Sequence, residues 1–347
     1  MNSKLLGLCL GVGLMAPMIA DAAEVTLQVV GQPIQNVLHT KGELPFFNET
    51  LPEKTGGKVD AKIISADQLA ISGPEVIRML SRGAIEFGSG GLTQAAADSP
   101  KFEGCDLPGL TTSLEDARAA CAAYRPVLEK ELREKFGIKL LALGANPPQA
   151  IWCVKPITSL AELEGRKVRV YNQTLSDFVA GAGGTPVNIP YGDTVPALKT
   201  GVIDCAISGT LTGNTSKWFE VAQNIYPMSL GWAIQYWGAN VKKWEQLPQD
   251  VQADLETAYA ELEDKLWDIA AHATAQGIEC NLGKDSCELG VKGSATVNPI
   301  AAEDEAKRKE ILQESVLTAW AKRCGADCAA EWNNVMSDQV GLKAPIN

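Results

Sequence analysis

KVDAKIISADQLAISGPEVIRMLSRGAIEFGSGG, residues 58–91, is the stretch on which the fold class turns. Its first seven residues, Lys58–Ile64, place Val59, Ala61 and Ile63 at alternate positions, the period of a strand. Pro74–Arg82 puts Val76, Ile77 and Leu80 on one side of a helix that Gly83 ends. Ala84–Phe87 follows as a further strand, stopped by Gly88-Ser89-Gly90-Gly91. Strand, helix and strand within 34 residues predict a parallel pair joined by a crossover.

The same alternation extends both ways. Val25–Val30 is apolar and β-branched, and a helical stretch from about Asn36 to Glu53 is closed by Thr55-Gly56-Gly57. Downstream, a helix over Leu114–Phe136 leads to the strand Ile138–Leu143. Strands at Ala150–Val154, Lys167–Val170 and Val202–Ile207, with helices around Asp177–Ala182 and Thr194–Thr200, outline a second α/β unit over 147–234. Two mostly parallel α/β sheets with helices on both faces are expected. Gln249–Gln276 carries Val251, Leu255, Ala258, Leu262, Leu266, Ile269 and Ala273 on one face. A helix of that length reaches about 40 Å, enough to cross both units. Glu303–Ala321 and Cys324–Met336 read as further helices.

The 347 residues carry 31 basic and 42 acidic side chains, a net charge of −11, which argues against a nucleic-acid partner. Lys4, the apolar run Leu5–Met18 and Ala20-Asp21-Ala22 have the pattern of a secretory leader over residues 1–22. Beyond it lie Cys105, Cys121, Cys153, Cys205, Cys280, Cys287, Cys324 and Cys328. An even count in an exported chain favours disulfides. Sequence proximity suggests Cys105–Cys121, Cys280–Cys287 and Cys324–Cys328 and leaves Cys153 with Cys205, either bonded or as two buried thiols. His39 and His272 are the two histidines; neither belongs to a recognisable catalytic or metal-binding pattern, so no metal, cofactor or enzyme activity is expected.

Several blocks, in order, resemble the extracytoplasmic binding subunits of tripartite ATP-independent periplasmic (TRAP) transporters. They are Thr55-Gly56-Gly57-Lys58-Val59, Arg82-Gly83-Ala84-Ile85-Glu86, Asp106-Leu107-Pro108-Gly109-Leu110, Ser159–Val170 and Ala197–Asp204. The resemblance implies a two-domain clamp in the periplasm, with domain I over 23–146 and 235–275 and domain II over 147–234 and 276–347. It also implies a small organic anion as ligand, ion-driven membrane permease subunits as partners and no ATPase; a monomer is the default. A periplasmic sensor on the same fold is the alternative role, and a secreted hydrolase a remote one.

Arg169, at the end of the Ser159–Val170 block, is implied as the clamp for a carboxylate, or a sulfonate as runner-up. A guanidinium presents paired donors and keeps its charge when desolvated. Tyr191 falls at a position the family uses for an aromatic wall, with a core aromatic as the alternative. Asn172 either meets ligand or caps the next helix. Gln149 and Ser208 enter by alignment with family contact positions. Gln32, Ser89 and Gly90 lie at carboxyl ends of strands, as anion-approaching groups or as turn residues. Trp152 and Trp232 are either an apolar wall or packing. These aromatics, with Ser208 replacing more polar family groups, tilt the expected ligand toward a weakly polar or aromatic acid.

Overall fold

The computed structural model describes residues 23–346; the predicted leader lies outside them. The strands are β1 (Val25–Gly31), β2 (Val59–Ser65), β3 (Phe87–Gly91), β4 (Ile138–Gly144), β5 (Gln149–Cys153), β6 (Lys167–Val170), β7 (Thr185–Asn188), β8 (Cys205–Gly209), β9 (Asn224–Tyr226), β10 (Gln235–Asn240) and β11 (Thr296–Val297). They form two sheets, ordered β2-β1-β3-β10-β4 and β11-β9-β5-β8-β6-β7. Both are mixed. β10 runs antiparallel to β3 and β4, and β5 runs antiparallel to β8 and β9. β7, β9, β10 and β11 are not among the strands expected from the sequence; β7, β9 and β11 have four, three and two residues, and β10 contains Gly238.

One expectation is corrected in register. The third strand is the glycine-rich run Phe87–Gly91 itself, buried along its length between β1 and β10, and not the Ala84–Phe87 segment before it. Close neighbours explain the composition. A Cβ on Gly88 would lie 3.2 Å from Ile85, and one on Gly90 3.3 Å from the Tyr236 ring. Glycine here fits where a large side chain on an adjacent element fills the space.

The units are joined three times. Residues 145–148 and 227–234 cross between the sheets side by side, tied by Asn146 N–H to Trp232 O at 2.8 Å and Gln149 N–H to Gly231 O at 2.9 Å. The third link is the helix Gln249–Asn281, 33 residues and so about 50 Å long. Its Leu266 packs near Gly42 and Gly144 beside the first sheet, while Gly277 lies against Thr210 and Leu211 of the second unit. A Cβ at Gly277 would stand 2.8 Å from the Leu211 backbone nitrogen, so only glycine permits this approach. The C-terminal helix Ala326–Val340 packs on Leu114–Phe136, and Trp320 and Trp332 donate to Pro100 O and Gly104 O at 2.8 and 2.7 Å. Arg323 pairs with Asp177 at 2.7 Å, so the C-terminal helices touch both units.

Disulfides join Cys105–Cys121, Cys153–Cys205, Cys280–Cys287 and Cys324–Cys328. Cys153 and Cys205 face each other across β5 and β8, and the free-thiol alternative falls.

A buried carboxylate organises the first unit. Glu43, fully buried, accepts from Gln32 N–H at 2.8 Å, His39 Nδ1 at 2.6 Å, Trp237 Nε1 at 2.8 Å and the Ser89 hydroxyl. Replacing it by an apolar side chain strands several buried donors. Glu43→Leu is expected to lower unfolding free energy by on the order of 3–5 kcal/mol, read from urea midpoints. A loss under about 1 kcal/mol would show that the four contacts do not carry the packing of this unit.

Candidate ligand-binding cleft

The carboxyl ends of β1 and β3 and those of β6 and β8 meet where the two crossing segments pass between the sheets. In open α/β sheets this is where ligands sit. Arg169, the third residue of β6, is 3% exposed. Its Nε donates to Ile189 O at 3.0 Å and its Nη1 to Ile207 O at 2.8 Å. The guanidinium carbon lies 5.2 Å from the Tyr171 ring centre and 5.8 Å from that of Tyr191. No carboxylate within 4 Å pairs with it among the described residues. Burial pushes its pKa down to about 10, which leaves it charged at neutral pH. Its remaining N–H donors make no hydrogen bond to the protein among the described residues.

Around Arg169 the sequence candidates divide. Tyr191 stacks on Trp218, with ring centres 5.3 Å apart, and donates its hydroxyl to Thr212 O or Ser216 Oγ. Gln149 accepts from the Tyr171 hydroxyl at 3.1 Å and donates to Pro147 O, while its backbone holds Gly231 and Leu230 of the other crossing segment. Ser208 is buried on β8 and its carbonyl accepts from Trp152 Nε1. Gln32 and Gly90 sit at the carboxyl edge of the first sheet, with Gln32 Nε2 buried and unpartnered.

Four candidates do other work in the structure. Ser89 spends its hydroxyl on Glu43. Asn172 caps the helix Gln173–Gly181, accepting from Leu175 N–H at 2.9 Å. Trp152 packs edge-on against Trp218, with centres 5.9 Å apart, inside the second unit. Trp232 is locked into the crossing segment, its indole N–H donating to Thr111 and its backbone N–H to Asp106. Sequence reasoning passed over Tyr171, Tyr236 and Asp106. Tyr171 has a local signal, two residues beyond the clamp arginine, and Asp106 opens the Asp106–Leu110 block; Tyr236 has none.

Asp106 shapes the second crossing segment. Its carboxylate accepts from Trp232 N–H at 2.8 Å and Ile234 N–H at 3.2 Å, across a turn in which Gly231 and Ala233 have φ of 110° and 43°. Nearby, Glu103 accepts from Thr174 at the start of the helix Gln173–Gly181, a bond between the units. A surface depression of about 390 Å³ lies elsewhere, between β4 and the long helix. Its two cations, Arg125 and Lys139, are paired with Glu263 and Glu256, so it offers an anion no free partner.

Two α/β units bridged by paired crossing segments, with a buried arginine that no carboxylate pairs, have the build of a clamp-type binding protein. Residues 36–323 match the bacterial extracellular solute-binding protein family 7, DctP, and the chain belongs to this family of TRAP transport receptors. Its members bind solutes outside the cytoplasm and are receptors, not enzymes. No helix among the described residues is long and apolar enough to cross a membrane. The C4-dicarboxylate-binding periplasmic protein DctP of Rhodobacter capsulatus is 26% identical over 324 residues, 92% of this chain and 93% of that protein. The structure of DctP7 from Bordetella pertussis, an extracytoplasmic solute receptor binding pyroglutamic acid, superposes with a TM-score of 0.77 at 25% identity, covering 90% of this chain and 99% of that one. A TRAP solute-binding protein from Desulfovibrio salexigens with bound orotic acid shares the fold, with a TM-score of 0.79 at 21% identity over 91% and 98% of the two chains.

Burial pushes the carboxyls of Glu103 and Asp106 up to about 7. An unfolded carboxyl titrates near 4, so between about pH 4 and 7 the folded state binds more protons than the unfolded one. Stability therefore rises as pH falls from 8 to 5, by about 2 kcal/mol for each group. Urea midpoints measured across that range should show the rise, and Asp106→Asn should remove part of it. A wild-type protein no more stable at pH 5 than at pH 8 would contradict the assignment.

Proposed function

We propose that the two α/β units close over a small organic acid whose carboxylate is held by Arg169, and that the loaded protein delivers it to an ion-gradient-driven membrane permease. The observation that carries this reading is a buried guanidinium with spare donors and no protein carboxylate beside it. Domain I is taken as 23–146 with 235–275 and domain II as 147–234 with 276–347, the C-terminal helices also leaning on domain I. The faces of Tyr171 and Tyr191 beside the cation favour a weakly polar or aromatic acid over a polyhydroxylated one. Small ring acids fit that description, and the pyroglutamate and orotate bound by two fold relatives are of this kind. A sulfonate is the second choice, because it offers the same paired oxygens. Gln149 and Ser208 would line the domain II side and Gln32 and Gly90 the domain I side.

Ligand binding favours the closed arrangement by its differential affinity for that state. Thermal unfolding of protein stripped by unfolding and refolding, against a panel of carboxylates and sulfonates, tests the reading. A ligand at 100 times its Kd adds about 2.7 kcal/mol of stability. Arg169→Ala should cost about 2–5 kcal/mol of binding, roughly 30-fold to a few thousand-fold in Kd. Arg169→Lys should restore little of it, since an ammonium cannot reproduce the fork. An alanine variant that binds the same acid with unchanged affinity would remove Arg169 from the site.

A further inference from the structure

The two sides of the cleft differ in the buried charged groups they carry. On the domain II side stands Arg169. On the domain I side the buried charged groups are acids: Glu43, Glu103 and Asp106, at 0%, 1% and 6% exposure. Arg308 is the other buried arginine among the described residues, and it is occupied by Glu305 and the Gly109 carbonyl. No buried cation therefore stands ready to receive a second negative charge.

The domain I edge offers neutral donors instead. Tyr236 lies opposite Gly90 in the β3–β10 pairing. The β1–β3 register, Val29 to Phe87 and Val30 to Gly88, carried two residues further sets Gln32 beside Gly90 on its other side. Gln32, Gly90 and Tyr236 thus form a row on one face at the carboxyl edge of the sheet. Gly90 keeps the row open, since its missing Cβ would lie 3.5 Å from the Tyr236 hydroxyl. Gln32 is 3% and Tyr236 1% exposed, and both Gln32 Nε2 and the Tyr236 hydroxyl are buried without a partner. Burial raises the Tyr236 pKa, so its hydroxyl stays protonated and able to donate. Tyr236 shares one continuous core with Leu230 and Trp232 of the crossing segment and with Tyr171, whose ring flanks Arg169.

We propose that the ligand carries a single negative charge and that its far end is a neutral oxygen, a carbonyl or hydroxyl, received by Gln32 Nε2 and the Tyr236 hydroxyl. The proposal rests on the Arg169 clamp and narrows its ligand class to monocarboxylates with a neutral acceptor. Dicarboxylates are rejected because their second carboxylate would be desolvated with no buried cation to receive it. Acids without the far oxygen bind weakly because two buried donors stay unmatched.

Titration calorimetry on refolded full-length protein tests this with pyroglutamate, orotate and 4-hydroxybenzoate, set against succinate, malate and glutarate, with cyclopentanecarboxylate as the acid lacking the far oxygen. At least one of the first three should bind at least about 100-fold more tightly than every dicarboxylate. Tyr236→Phe and Gln32→Leu should each weaken that acid about tenfold and leave the affinity for cyclopentanecarboxylate unchanged. A dicarboxylate that binds as tightly as the best monocarboxylate overturns the proposal, as does silence of all three monocarboxylates. Equal losses for both kinds of acid in the two variants overturn it as well. Arg169→Ala separates the levels. If it abolishes binding while dicarboxylates prevail in the wild type, only the single-charge proposal fails; if it leaves every affinity unchanged, the clamp itself fails.

Discussion

Taking a guanidinium out of water without a counter-ion is among the more costly things a folded chain can do, and the cleft is arranged around that cost. Arg169 meets it in part with two backbone carbonyls, Ile189 and Ile207, and in part with the π faces of Tyr171 and Tyr191. Carbonyl oxygens and aromatic faces stabilise a cation without neutralising it. The charge stays available to an anion, which is what the proposed clamp requires. A glutamate in place of either tyrosine would satisfy the arginine from within the protein.

The surrounding architecture keeps this cation in place. Gln149 links Tyr171, beside the cation, to the crossing segments, so the site and the joint between the units share a side chain. Asp106 holds the second crossing segment through a turn that contains a non-glycine residue at positive φ, a conformation tolerated only where several contacts hold it. Glu43 plays the matching part in the first unit by fixing the ends of β1 and β3. Buried carboxyl groups thus set the geometry of the domain I wall.

Much of the architecture was readable because it is local. Alternation at Val59–Ile63, the heptad-like face of the long helix and the glycine stops after helices each need only neighbouring residues, and all three are present. Arg169 was readable through the block that carries it. What escaped depends on distant partners. Ser89 looks like an exposed loop hydroxyl until Glu43, 46 residues earlier, is folded against it. Trp237 reaches the same carboxylate across 194 residues. Phe87–Gly91 reads as a loop because glycine usually means one, and only the bulk of Tyr236, Ile85 and Val76 around it explains a central strand. Tyr236 itself, on a strand hidden behind a crossing segment, left no trace in any local pattern.

The disulfides have a property that matters before the protein ever meets a ligand. Taken in chain order, the eight cysteines beyond residue 22 pair first with second, third with fourth, fifth with sixth and seventh with eighth. A chain threaded into an oxidising compartment from its N-terminus can seal each bridge as soon as the next cysteine arrives. Oxidation of neighbours in order of appearance then gives the native set directly, with no reshuffling by an isomerase. None of the four bridges staples one sheet to the other, so maturation of the thiols leaves the jaws free.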